Sequence, residues 1–411
     1  MLTKYVSGVG ISTKVVMLVA MHLLYSGSAL AELWRFSPSL TLEGRYDDNI
    51  RLRTIPHNDV AGLLLKGQLG FSRLTEVGGV TGRLHLDLSE YRGDNELNDN
   101  NENLYLTFAS HHNTELNKFS ILGSFKSDTT LRKFDAVDAP DEGDVDIPES
   151  DIDDGIVSVD IRRNILKISP SLEYKFTERT SLNAVLGYVD VSYQDNQVGS
   201  GLFDHDQSSL NAGITHSLNE RDSFNTSLGY KFFQSPDNAN NQADSYDFTL
   251  GYSRSFSEIM SGRIDVGVNY TQQESNLGNR DISGYVLRVN LKRKTEQKRF
   301  NLSFSHDLTP SGSGFITESN QLKLRMIHNF SKRLSGSVNF VYTDRDPVNS
   351  SQSKADKYFA FQPRLNWKFD RWWKLSAGYQ FRSKENGNDV EKAESNAVFL
   401  SISHNKHVTF D

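Results

Sequence analysis

The sequence has no cysteine and only nine prolines in 411 residues. Without cysteine there are no disulfides and no lipid-modified cysteine of a lipoprotein, which suits an exported chain that holds together without cross-links. Beyond the N-terminal residues no apolar run approaches the ~20 residues that a membrane-spanning helix needs. There is no Asp-x-Asp-x-Asp-Gly calcium loop and no glycine-rich phosphate loop ahead of a helix, which argues against an EF-hand-type site and a nucleotide-binding fold. Nothing calls for a cofactor, a metal or a nucleic-acid partner.

The first 31 residues have the order of a secretory signal: Lys4 and Lys14 in a basic start, an apolar core from Val15 to Leu24, then the small-x-small Ala29-Leu30-Ala31. Two regions are therefore expected, a cleavable signal peptide at 1–31 and a single domain at 32–411. Cleavage removes two lysines and no acid, so the formal charge moves from −7 to about −9.

What the remainder does have is alternation. In Asn211–Phe256 the residues Ala212, Ile214, Leu218, Phe224, Leu228, Tyr230, Phe232, Tyr246, Phe248, Leu250 and Tyr252 stand on even positions with polar residues or glycine between them. A period of two gives each strand one oily and one wet face. Ten-residue units of this kind recur to the end of the chain, and no helical layer is available to cover the oily faces. A closed antiparallel up-and-down β-barrel in lipid satisfies the pattern, with hydrocarbon outside, water inside and no free edge. The aromatic residues, 24 Phe, 16 Tyr and 4 Trp, gather near expected strand ends, where the membrane interface favours amphipathic rings.

Rising strands are expected near 33–46, 79–91, 117–129, 181–194, 223–234, 260–272, 298–309, 334–345 and 373–384. Returning strands are expected near 59–73, 101–110, 156–176, 207–218, 243–256, 280–293, 318–330, 357–369 and 394–410. The total is about 18, with 16 the nearest alternative, and the even number leaves both termini in the periplasm. Turns such as Thr177-Glu178-Arg179-Thr180 are short and alternate with long polar loops, which therefore face outward. In the sixth strand the apolar parity switches near Arg162–Ile165, as a β-bulge or an extension above the bilayer would produce. The seventh switches between Tyr188 and Val191.

If apolar residues touch lipid, their neighbours line the lumen. Candidate contacts for a permeant are Lys66, Arg83, Lys175, Arg263, Arg288, Lys292, Lys323, Arg325, Arg364, Lys368 and Arg382, with Arg35, Lys118, Lys126, Lys231 and Lys374 on the same face. Acids there are fewer: Glu43, Asp87, Glu173, Asp247, Asp265 and Asp307. An acidic chain with a basic inner wall suits anionic or acidic-sugar solutes. Cross-strand pairing that merely fills a wet interior is the plain alternative. The acids collect in loops instead, above all in Asp135–Asp154, which holds no lysine or arginine and reads as solvated loop.

Catalysis has little support. Thr215-His216-Ser217 resembles the His-x-Ser core of outer-membrane phospholipases only loosely, and adjacent His and Ser point to opposite faces of a strand. His111-His112 reads as a turn, and the remaining histidines are scattered without metal-ligand spacing. A plug domain of TonB-type transporters has no room before the first strand.

Ser169-Pro170-Ser171-Leu172, the turn Thr177-Glu178-Arg179-Thr180 and Leu186-Gly187-Tyr188 follow one another, and related pieces stand at Phe36–Leu40, Gln362–Leu365, Leu228-Gly229-Tyr230, Leu250-Gly251-Tyr252 and Ala377-Gly378-Tyr379. In this repeat style the chain resembles the β-barrel porin group encoded with bacterial exopolysaccharide-export and exosortase systems. The resemblance implies a Gram-negative outer-membrane pore through which an anionic polysaccharide leaves, beside periplasmic polysaccharide-export and chain-length proteins. One departure is that Phe410, the aromatic end that barrel insertion machinery reads, is followed by Asp411. The expectation is thus a passive export conduit set in outer-membrane lipid. A general diffusion porin for small anionic solutes or sugars, or a non-conducting adhesive barrel, are the alternatives.

Overall fold

The computed structural model describes residues 34–54, 59–93, 99–130, 161–194, 202–236, 241–276, 278–310, 316–348, 356–386, 392–406 and 408–410. The expected signal at 1–31 and the acidic stretch 135–154 lie outside them, as do residues 156–160 of the sixth expected strand.

Alternation becomes strand throughout. The order is β1 (Trp34–Asp47), β2 (Val60–Leu74), β3 (Gly78–Gly93), β4 (Asp99–Asn113), β5 (Asn117–Thr129) and β6 (Arg162–Lys175). Next come β7 (Thr180–Tyr193), β8 (His205–Ser217), β9 (Asp222–Ser235), β10 (Asn241–Ser257), β11 (Met260–Glu274) and β12 (Arg280–Lys294). The last six are β13 (Lys298–Pro310), β14 (Ile316–Asn329), β15 (Leu334–Pro347), β16 (Asp356–Lys368), β17 (Trp373–Asn386) and β18 (Ala393–Asn405). A short piece, Val408–Phe410, carries β18 onward: Trp34 pairs with Phe410 in the register that pairs Ser39 with Asn405. The interruption falls opposite Pro38, which has no N–H for the ladder and whose carbonyl instead accepts from Lys406 N.

Each strand pairs antiparallel with its sequence neighbours, and β1 pairs with both β2 and β18. The sheet is therefore a closed barrel of 18 strands, the expected number, with no free edge. Its outer rows match like with like: Leu42 faces Leu65 and Ile402, and Tyr230 faces Leu210 and Tyr246. Leu228, Val268, Leu63 and Leu400 on these rows are more than half exposed. No soluble protein could leave such a belt in water, so it is the lipid-facing surface of an outer-membrane barrel in a Gram-negative bacterium. Trp34, Trp367 and Trp373 stand at the periplasmic end of the belt, on one arc formed by β1, β16 and β17, and Tyr46, Tyr230 and Tyr285 lie toward the outer end.

Strands of 13 to 17 residues are roughly 43–56 Å long, and a tilt of about 40° still leaves them taller than the ~25 Å apolar band. The surplus explains the parity switches, which are not bulges. β6 and β7 hold one register from Arg163–Tyr193 to Lys175–Ser181, broken only where Pro170 cannot donate. Instead Ile161, Ile165, Val191 and Tyr193 pack into a buried cluster with Leu202. Ile165, Val191 and Tyr193 have turned to the inner face, above the height where lipid demands apolar residues outside. The register shift that does occur lies at Ser255/Ser257, beside a turn.

Five of the eight short turns share one device. A Thr, Asn or Ser side chain accepts the N–H three residues on: Thr114 from Asn117 (2.9 Å), Thr177 from Thr180 (3.0 Å), Asn219 from Asp222 (2.9 Å), Thr295 from Lys298 (2.9 Å) and Ser331 from Leu334 (3.0 Å). A carbonyl of each turn then accepts from the end of the following hairpin, as Val77 does from Asn113 and Leu116 from Lys175. The periplasmic rim is thereby a chain of interlocked turns.

Candidate functional site

The inner face is the candidate site. By pairing register, all eleven candidate residues stand on the rows opposite the lipid belt: Lys66 (β2), Arg83 (β3), Lys175 (β6), Arg263 (β11), Arg288 and Lys292 (β12), Lys323 and Arg325 (β14), Arg364 and Lys368 (β16), and Arg382 (β17).

They differ in what they meet. Lys66 Nζ lies 3.1 Å from Glu43 Oε2, Arg263 Nη2 lies 2.7 Å from Asp265 Oδ1, and Arg288 Nη2 is paired with Asp307. Lys231 Nζ stands 3.9 Å from the same Asp307. Arg364 lies with its guanidinium carbon 4.9 Å from the ring centroid of Phe399, which itself fills the space above Gly378. Lys175 and Lys368 are exposed at strand ends.

Arg382 is on the expected face but is not open to a permeant. It is fully buried, 2.8 Å from Asp47 Oδ2 and 2.8 Å from Ser395 Oγ, and it also donates to the carbonyl of Asn49. Asp47 also accepts from Ser395 Oγ (2.8 Å) and from the backbone N–H of Asn49 (3.1 Å), and Arg45 completes the group. A second buried pair, Arg163 Nε to Asp128 Oδ1 at 2.8 Å with Lys126 Nζ 2.9 Å from Asp128 Oδ2, joins β5 to β6. Sequence reading missed Asp47, Asp128 and Arg163 as partners; their odd or even position told the face but not the neighbour.

Strands β7 to β10 present a mostly uncharged polar wall, interrupted by Lys231 on β9 and Asp247 on β10. Asn183 Nδ2 donates to Thr215 Oγ1 (2.9 Å), Asn225 Nδ2 to the same oxygen (3.3 Å), and Ser227 and Thr249 hydroxyls meet at 2.6 Å. Opposite the short turns, residues after β1 fold inward. Ile50 packs on Val60, Leu64 and Tyr91, and Leu52 on Tyr358 and Ala393. Asn49 fixes this strap by donating to the Arg53 and Glu394 carbonyls at 2.7 and 2.9 Å, and Leu52 pays with a left-handed φ of 49°. The outer mouth is therefore narrowed on one side by a built element, whereas an 18-strand cylinder alone is wide enough for an aqueous channel.

Neither histidine motif forms a site. His216 Nδ1 is hydrogen-bonded to Thr180 Oγ1 (2.9 Å), on the lipid side, while Ser217 takes the inner side of β8. His111 and His112 are not in a turn; they end β4, opposite Gly79 and Gly78, on opposite faces.

Residues 236–405 match a protein-family model described as "Putative beta-barrel porin 2". No curated protein matches the chain. Among solved structures, the outer membrane protein OpdK of Pseudomonas aeruginosa is 11% identical, with a TM-score of 0.41 over 91% of this chain and 99% of its own. OccK2 (OpdF) of Pseudomonas aeruginosa in complex with glucuronate is 12% identical, with a TM-score of 0.45 over 90% and 98%. OccAB4 of Acinetobacter baumannii is 11% identical, with a TM-score of 0.45 over 92% and 99%. The barrel assignment stands on this chain's own strand pairing, and within it more than a third of the sequence is similar to a porin rather than to an enzyme.

Proposed function

We propose that the chain is an outer-membrane diffusion channel that favours small anionic solutes, acidic sugars among them. The observation that carries this is the sign reversal between the whole and its inner wall. The chain is acidic, with 52 acids against 45 basic residues, yet basic side chains predominate on the inward rows. Low-dielectric walls focus the field of such a surplus into the lumen, and rings of Arg and Lys favour anions. The match of residues 236–405 to a porin model supports a pore.

Export of a secreted polysaccharide, with periplasmic export and chain-length proteins delivering it, rests on repeat resemblance alone. The small-solute reading needs no partner and is preferred. Purified protein in a planar bilayer under a tenfold KCl gradient should give a reversal potential of the sign set by chloride. A potential set by potassium would end the proposal.

A further inference from the structure

At the periplasmic end of the lipid-facing surface most outer-row positions are apolar or aromatic, and the lone arginines have local partners. Arg73 on β2 lies over the Trp34 ring, 5.5 Å from its centroid, and Arg254 on β10 stands 3.7 Å from Asp222. On β12 and β13 two cations come together instead. Arg293 is directly opposite Phe300, and Lys298, two residues before Phe300, is directly opposite His328 of β14. The two cations are therefore diagonal neighbours on the outer face, roughly 7–8 Å apart at the backbone. Both are exposed. Among the described residues, no other adjacent strands bring two Lys or Arg side chains together at the periplasmic end of the outer rows.

The depth of this pair is that of the membrane interface. Arg293 is the last residue but one of β12 and Lys298 the first of β13, the places that Trp367 and Trp373 take on β16 and β17. Tryptophan favours that level because its ring is apolar with one wet edge. Toward the bilayer centre the outer rows continue with Leu291, Phe300 and Met326, the last of them 43% exposed. Over the periplasmic half of the outer rows of β11 to β15, no described residue is a carboxylate. The bordering turns set Lys332 and Arg333 against Glu258 and Glu296, so the wall keeps the charge of Arg293 and Lys298.

We propose that this face of β12 to β14 holds an anionic phospholipid of the periplasmic leaflet. Its phosphate sits between Arg293 and Lys298, and an acyl chain runs along Leu291, Phe300 and Met326. The guanidinium fork matches phosphate oxygens, and the lysine adds a second positive charge from the neighbouring strand. A zwitterionic lipid would bring its own ammonium to the same two cations and lose much of that attraction. Each Lys or Arg beside an anionic membrane surface is worth about fivefold in affinity, so the pair should favour an anionic headgroup by an order of magnitude or more. The site needs the lipid-facing belt and is independent of which solute the lumen passes.

Native mass spectrometry of the detergent-solubilised barrel tests this by titration with phosphatidylglycerol and phosphatidylcholine of equal chain length. One phosphatidylglycerol should be retained at least tenfold more tightly than phosphatidylcholine. The Arg293→Gln/Lys298→Gln variant should bind both lipids alike, whereas Arg73→Gln should keep the wild-type preference. Unchanged heat-dependent gel mobility shows that each variant is a folded barrel. Should the double variant not fold, the single charge reversal Lys298→Glu decides in its place and should abolish the preference. Equal retention of the two lipids by the wild type would overturn the site. So would a preference that survives in the double variant or in Lys298→Glu, or one that Arg73→Gln removes equally.

Discussion

At the scale of single residues, the strongest electrostatic commitment is Asp47. It is 0% exposed, on the first strand, and takes the guanidinium of Arg382 from β17 and the hydroxyl of Ser395 from β18. These contacts join the beginning of the chain to its end, across the seam that closes the barrel. Removing one partner of a buried pair leaves the other charge uncompensated, which costs about 3–5 kcal/mol. Asp47→Asn should therefore lower stability by that order in urea unfolding followed by tryptophan fluorescence. Glu90→Gln, which breaks the exposed pair with Arg92, should leave the midpoint where it was. A loss below about 1 kcal/mol for Asp47→Asn would mean that water reaches the pair and solvates Arg382. Parity in the sequence put Arg382 on the inner face, and there the sequence stopped: whether an inward cation meets water or an acid depends on registers between strands hundreds of residues apart, which alternation does not encode.

At the scale of elements, hairpins were legible because two independent signals coincided. Period-2 runs marked the strands to within a few residues, and short polar strings such as Thr177-Glu178-Arg179-Thr180 marked the turns between them. The structure gives the second signal a cause, the side-chain oxygen at the first turn position that accepts the N–H of the fourth. Thr177→Ala removes that acceptor from Thr180 N and from Arg179 N, which also donates to it. Exposed hydrogen bonds of this kind contribute about 0.5–1.5 kcal/mol each, so the variant should refold into vesicles with a barrel less stable by about 1 kcal/mol. Thr177→Ser, which keeps the oxygen, should be near wild type; equal losses in both would put the cause elsewhere than in the turn bond. At Ile165 and Val191 the sequence left two readings open, a bulge and an extension above the bilayer, because a change of face looks the same in one dimension; the continuous register of β6 and β7 selects the extension. The hydrophobic pattern reports where apolar groups find a dry place, and above the bilayer that place is the inside of the rim.

At the scale of the whole molecule, closure follows from the same alternation once lipid is the outer solvent. An open sheet of this composition would leave unpaired backbone groups at two edges in hydrocarbon, each costing several kcal/mol, and pairing β1 with β18 removes both edges together. The solvent assignment is testable independently of any transport assay, because the two candidate solvents make opposite demands on the outer rows. Leu228 is 64% exposed on β9, midway between Phe224 and Phe232 on the same face. In water, exchanging so exposed a leucine for lysine would be neutral or would improve solubility. At the bilayer midplane a lysine costs about 2–4 kcal/mol, falling to about 0–1 near the interface. Leu228→Lys should accordingly destabilise the folded barrel in phospholipid vesicles by that larger amount. The same exchange at Leu218, exposed just past the periplasmic end of β8 with the parity of the outer-row Leu210 and Ile214, should cost little. A depth-independent response at the two positions would contradict a lipid-facing belt, and with it the placement of every basic residue assigned to the lumen.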